Sequence, residues 1–259
     1  MARGSRSVVS LSARSLGASV ALLAVAASAE ASTTIHAAPF EQVYLAAPYP
    51  VNGTEEKVVA IPTSALTVPQ FSAPHATLLS VTISATFADD ITFTGTVLGP
   101  GVGTIGASAT TKHCVTAPGV AADTCASSSA SESGTTTRND PTLVFHFPPA
   151  ASAIEPLTIP SDAQQLYVGG GTVDVSAAIA MTTVASVSKS QMLANFEGTF
   201  SGTVLVTYEY LAGDFDGSAT IDGSDLATLI GAWGTPNADL DGDGTTNAVD
   251  LAILLGDWS

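Results

Sequence analysis

Basic residues are scarce in this chain: seven Lys and Arg stand against 23 Asp and Glu among 259 residues, a formal net charge of −16. Such a surface cannot neutralise phosphates, which argues against nucleic acid and anionic membranes as partners. Charged residues are only 12% of the total, too few for a charge-rich disordered chain. Cysteines number two, so neither a disulfide framework nor a multi-thiolate metal site is available. Aromatics are 6%, and both tryptophans, Trp233 and Trp258, lie near the C-terminus. Beyond residue 31 no apolar run approaches the ~20 residues a membrane helix needs. What remains is 46% hydrophobic, with 23 Gly, 14 Pro and long Ser/Thr/Ala stretches, the balance of a secreted β-rich protein.

The N-terminus reads as an export address. Arg3, Arg6 and Arg14 precede an apolar run from Leu16 to Ala29, and small-x-small patterns follow at Ala27-Ser28-Ala29 and Ala29-Glu30-Ala31. Residues 1–31 are therefore expected to be a cleaved signal peptide. Its loss removes those three Arg and Glu30, leaving 4 basic and 22 acidic residues, net −18. In an exported chain Cys114 and Cys125, eleven apart around Pro118-Gly119, are expected to form a disulfide.

Residues 32–210 read as one β domain, an antiparallel sandwich of jelly-roll or immunoglobulin-like type. Val81, Ile83, Ala85 and Phe87 alternate with Thr82, Ser84 and Thr86, and the alternation resumes at Ile91, Phe93, Gly95 and Val97. Asp89-Asp90 between them reads as the turn of a hairpin over 78–98. Further strands are expected at 142–147, 172–185 and 198–210, and a long exposed insertion at 100–140. The likeness of Val68-Pro-Gln-Phe71, Leu78–Phe87 and Phe196–Tyr210 to the choice-of-anchor E domain of secreted bacterial proteins implies a β-sandwich of unassigned activity.

At residue 213 the text changes. Asp214–Ser259 holds nine acidic residues and no Lys or Arg, and repeats itself at a spacing of 25: Asp214–Trp233 matches Asp239–Trp258. Each copy reads as a twelve-residue calcium loop running into a helix. Oxygen ligands at loop positions 1, 3, 5, 7 and 12 can wrap a hard cation at ~2.4 Å. These are Asp214, Asp216, the Ser218 hydroxyl, the Thr220 carbonyl and Asp225 in the first loop, and Asp239, Asp241, Asp243, the Thr245 carbonyl and Asp250 in the second. Position 9, Asp222 or Asn247, can hold a ligating water or cap the helix. Its spacing of three from Asp225 or Asp250 is that of a capping box. Leu226, Leu229, Ile230 and Trp233, and likewise Leu251, Leu254, Leu255 and Trp258, then fall on one helical face. Helices this short need a partner, so the two stripes are expected to pack together.

The paired loops, each followed by Asp-Leu-Ala-x-Leu-x-Gly-x-Trp, resemble a dockerin domain over residues 211–259. The resemblance implies two calcium ions and attachment to a cohesin-like or other surface or scaffold protein. Two departures matter. Ala219 stands at position 6 of the first loop, where a sharp turn wants Gly as at Gly244, so the first site should be the weaker. Positions 10 and 11 are Gly223-Ser224 and Ala248-Val249, without the hydroxyl pairs and basic residues of a standard cohesin contact.

No catalytic constellation is evident. Glu55-Glu56 and Asp89-Asp90 are neighbours in turn-like text, His36, His75, His113 and His146 are dispersed, and no Gly-x-Ser-x-Gly elbow occurs. The expected function is non-catalytic, calcium-dependent attachment of a secreted protein. The alternative is an accessory role in polysaccharide breakdown, as a sugar-binding sandwich using Tyr44, Tyr49 or Tyr167, or as a glycoside hydrolase with an unrecognised carboxylate pair.

Overall fold

The computed structural model describes residues 20–24, 31–99, 102–120 and 123–258. Most of the expected signal peptide lies outside the described residues. Its segment Val20–Ala24 (β1) pairs antiparallel with Ser32–Leu45 (β2).

Among the described residues the chain is mostly antiparallel β-sheet, with two short α-helices, both at its C-terminal end. After β2 come Tyr49–Pro69 (β3), Ala76–Leu98 (β4), Thr104–Thr116 (β5), Thr124–Thr135 (β6), Thr142–Thr158 (β7) and Thr172–Ala212 (β8). The 41-residue β8 organises the rest. Its first part, Thr172–Val187, lies between β3 and β5, and its second, Gln191–Ala212, lies between β2 and β4. β6 pairs with β5 and β7 with β4. The Gly53 kink, at φ +83°, marks a register shift within β3.

Burial follows the alternation of side chains across a strand. In β8 the inward residues are odd-numbered from Val173 to Val187 and even-numbered from Met192 to Tyr208. Both halves feed the same apolar clusters: Val175 and Ala177 with Val204, Val206 and Tyr208 in one, and Ile179 and Met181 with Phe196 and Phe200 in the other. Burying a side chain of this size contributes about 1.5–3 kcal/mol.

Two expectations are corrected. Residues 78–98 are not a hairpin: β4 runs unbroken through Asp89-Asp90, and Asp89 is 3% exposed. Residues 100–140 are not simply an exposed insertion either. They hold β5 and β6, and Ile105, Ala107, Ala109, Val115 and His113 of β5 point into the interior. The Cys114–Cys125 disulfide is formed, joining directly paired residues of that ribbon.

A third apolar cluster belongs to the C-terminal end. Leu211 at the end of β8, Ile221, Leu229 of helix α1 (Gly223–Gly231), Ala238 and Leu254 of helix α2 (Ala248–Gly256) are buried together, with Leu226, Leu251 and Trp258 packed against them. The two helical stripes thus meet, but only in part: Ile230, Trp233 and Leu255 are about half exposed. Ala31 also touches this cluster, so the start of the β region and the end of the chain are packed together. Among the described residues no helix is long and apolar enough to cross a membrane.

Candidate metal centre

Each C-terminal repeat places its acidic side chains at one end of a short helix, and the backbone explains how. Asp222 accepts from Ser224 N at 2.7 Å while Asp225 accepts from Asp222 N at 3.0 Å, a reciprocal capping box at the start of α1. Asn247 and Asp250 repeat the arrangement at α2, with Val249 N and Asn247 N as donors. A carboxylate in the first turn also suits the positive end of the helix dipole.

The other oxygen of each closing Asp reaches back to the loop. Asp225 accepts from Phe215 N at 2.8 Å, and Asp250 accepts from Leu240 N at 2.6 Å and Asp241 N at 3.2 Å. At the front of the loops, Asp214 accepts from Ser218 N and Ala219 N, and Asp239 from Gly242 N and Gly244 N. These bonds fold each loop around a concentration of negative charge.

Two clusters result. Oxygens of Asp214, Asp216 and Asp225 lie within 4.8 Å of one another, as do those of Asp239, Asp241 and Asp243. All the candidate donors are hard oxygens, the chemistry that suits calcium or magnesium rather than a soft transition metal. The remaining expected ligands are disposed less simply. The Ser218 hydroxyl donates to the Thr220 carbonyl at 3.1 Å, so these two groups satisfy each other. Asn247 Nδ2 donates to Asp243 Oδ2 and to the Thr245 carbonyl, tying three expected second-loop positions together. Asp222 and Asn247 serve as helix caps.

Electrostatics differ between the loops. Hydrogen bonds from the Ser218 side chain and backbone hold Asp216 below the usual carboxylate range. The Asp243 N–H pulls Asp241 down, but desolvation and the carboxylates of Asp243 and Asp250 outweigh it, and its pKa is raised. Burial pushes Asp250 up, yet N–H donors from Asn247, Leu240 and Asp241 prevail and lower it. Ala219 has φ +63°, a left-handed conformation that a β-carbon disfavours, whereas Gly244 adopts φ +91° at the equivalent place.

The polysaccharide platforms fare poorly. Tyr167 is fully buried with its hydroxyl donating to the Pro118 carbonyl at 2.8 Å. Tyr49 is buried too, and the Lys57 ammonium sits 3.5 Å above its ring. Only Tyr44 keeps partial exposure. Glu55 and Glu56 are solvated as expected, but they lie inside β3, paired with Ala185 and Val184, and not in a turn.

Asp89 is a different matter, and it corrects the turn-like reading. Its Oδ1 accepts from His113 Nε2 at 2.8 Å, and its Oδ2 accepts from the hydroxyls of Ser128 and Thr111. His113 Nδ1 meets Ser152 Oγ at 3.1 Å, and the ring stacks on Phe87 at 4.5 Å. Hydroxyl, imidazole and carboxylate are thus linked across β7, β5 and β4. A void of about 10 Å³ beside Asp89, Thr111, Ser128 and Phe147 has room for one water. We read this network as the means by which a buried carboxylate is satisfied.

No family model matches the chain, and no curated protein matches it. Among solved structures the chain is similar to that of infectious bursal disease virus, Gx strain, at 11% identity and TM-score 0.25 over 67% of this chain and 36% of that one. It is likewise similar to the VP2 subviral particle of that virus, at 12% identity and TM-score 0.25 over 66% of this chain and 37% of that one. The chain thus spans little more than a third of these proteins, and a likeness at this score carries no argument about fold or function.

Proposed function

We propose that this is an exported, non-catalytic protein built from a β-sandwich of choice-of-anchor E type and a C-terminal dockerin-like module, residues 211–259, that binds two calcium ions and attaches the protein to a surface or scaffold protein. The observation that carries the reading is the duplicated loop before a capped helix, with three carboxylates converging in each copy: Asp214, Asp216 and the helix's Asp225 in the first, and Asp239, Asp241 and Asp243, without Asp250, in the second. Three like charges within 4.8 Å repel unless a cation lies among them. In each loop the carboxylates would hold the ion, with Ser218, Thr220, Thr245 and Asn247 turning their oxygens to it. Because the module's core is small, ion binding contributes much of its folding energy. The sandwich reading is supported by the change of phase within β8, which directs both halves into shared clusters.

Attachment is tested by affinity capture from cell-surface extract, using residues 32–259 with calcium, with chelator, and as the D239A/D250A variant. Specific capture in calcium alone is the expected result. Equal capture under all three conditions contradicts a calcium-dependent module.

A further inference from the structure

The end of β8 and the start of β2 meet at one carboxylate. Asp257, the C-cap of α2, is 7% exposed; it accepts the backbone N–H of Ala212 at 2.9 Å and lies 3.1 and 3.2 Å from the hydroxyl of Ser32. One side chain thus joins two strands and the C-terminal helix. Those bonds occupy its oxygens but bring no opposite charge. Among the described residues no Lys, Arg or His nitrogen lies within ion-pair distance of it, and residues 213–259 contain no Lys or Arg. The last carbonyls of α2 add partial negative charge at the same place, where a cation is the favoured neighbour. Burial pushes the Asp257 carboxyl above its usual range, and the bonds from Ala212 and Ser32 only partly offset this.

Export supplies a counter-charge by another route. Ser32 follows Ala29-Glu30-Ala31, the second of the two small-x-small patterns. Cleavage after Ala31 turns the Ser32 amide into an α-ammonium. Covalent geometry holds a serine nitrogen within about 4 Å of its own Oγ, so the new charge forms within about 7 Å of the Asp257 oxygens. The strand is anchored up to that residue, because Ser32 pairs with Tyr210 of β8 and the ladder runs without a shift to Leu45. Cleavage after Ala29 would instead start the chain at Glu30, with a carboxylate side chain and the ammonium two residues further out.

We propose that processing between Ala31 and Ser32 completes a latch, in which the α-ammonium of Ser32 pairs with Asp257 and fixes the C-terminal module to the β region of the exported chain. The precursor lacks the pair, since Ser32 N is there an uncharged amide, and holds Ala31 against the third apolar cluster instead. The inference rests on the reading of residues 1–31 as a signal peptide, and it gives a role to the terminus that cleavage exposes. Tyr210 and Asp241 are the other titratable groups lining the groove that holds Ser32 and Asp257. Because Asp241 belongs to the second loop, the test is made in saturating calcium.

The full chain is exported from a secreting bacterial host, and the mass of the product fixes its first residue. With isotope-labelled serine, the Ser32 Cα resonance is then followed against pH. The product should start at Ser32, and its α-ammonium should release its proton about one pH unit above the ordinary range of about 7.7–8.0, a tenfold preference for the charged form. Asp257→Asn keeps an acceptor for Ala212 N and the Ser32 hydroxyl, and should return that titration to the ordinary range. Acetylating the α-amine should lower the midpoint of urea unfolding in the wild-type chain and leave that of Asp257→Asn unchanged. An exported chain that begins elsewhere, an ordinary titration in a chain that begins at Ser32, or an equal effect of acetylation in the two proteins overturns the latch. Retention of residues 1–31 would overturn the export reading as well, so the mass tells the two failures apart.

Discussion

Asp225 accepts the backbone N–H of Phe215 at 2.8 Å, tying the last position of the first loop to its second. Asp250 and Leu240 form the same closure in the second loop at 2.6 Å. A carboxylate so placed closes the loop and caps the helix, and under the proposed calcium reading it would also serve the cation. Asp250→Asn, which keeps an acceptor but removes one of the four carboxylates of the second loop, should therefore preserve the helix and weaken calcium binding at the second site. Circular dichroism and a calcium titration of the same sample measure the two effects. Loss of helix with unchanged calcium affinity would contradict this division of roles.

Ala219 holds a left-handed conformation that Gly244 adopts without strain. Ala219→Gly should stabilise the first loop by about 1 kcal/mol and tighten its calcium site toward the affinity of the second. Gly244→Ala should do the reverse. Chemical denaturation and the two-site calcium isotherm provide the readings, and an unchanged first site in Ala219→Gly would count against strain as the cause of its weakness.

The Asp89–His113 pair is buried and hydrogen-bonded on every side. Replacing only His113 by Phe leaves a buried carboxylate without its counter-group and should cost about 3–5 kcal/mol. Asp89→Leu with His113→Phe removes both partners and should cost markedly less than the sum of the single changes. A double-mutant cycle by urea unfolding gives the coupling directly, and additive losses would show that the pair is not a unit.

Tyr167 is pushed up to about 12 by burial, and Tyr208 higher still by burial and by Tyr167 beside it. The folded chain thus holds on to phenolic protons that the unfolded chain releases near pH 10. Stability contributed by these groups is whole below pH 10 and falls as pH rises from there toward 12. Ultraviolet titration should show these tyrosines ionising only with unfolding, and Tyr167→Phe should flatten the alkaline loss of stability. A normal phenolic titration in the folded state would contradict their burial.

The strand alternation and the duplicated loops were legible because their signals are local. Strand phase is set by neighbouring residues, and the carboxylates that cluster in each repeat fall within twelve positions. Asp89-Asp90 was misleading for the same reason: read locally, two acids mark a turn. The longer pattern held the correction, since Asp89 falls in phase with Val81, Ile83, Ala85, Phe87, Ile91 and Phe93, all buried. β5 and β6 were hard to see because their alternation is between small and hydroxyl side chains, with little contrast in hydropathy. Asp257 could not be understood from its neighbours at all, because the hydroxyl it meets is on Ser32, 225 positions away.

The central claim is that the acidic repeats hold two calcium ions. Calorimetric titration of residues 32–259 with calcium, with melting curves before and after chelator, tests it most directly. The account predicts two sites, the weaker lost in Asp214→Ala and the stronger in Asp239→Ala, and a melting transition of the C-terminal segment that falls when calcium is removed. No binding at millimolar calcium, or a melting curve indifferent to chelator, would contradict it.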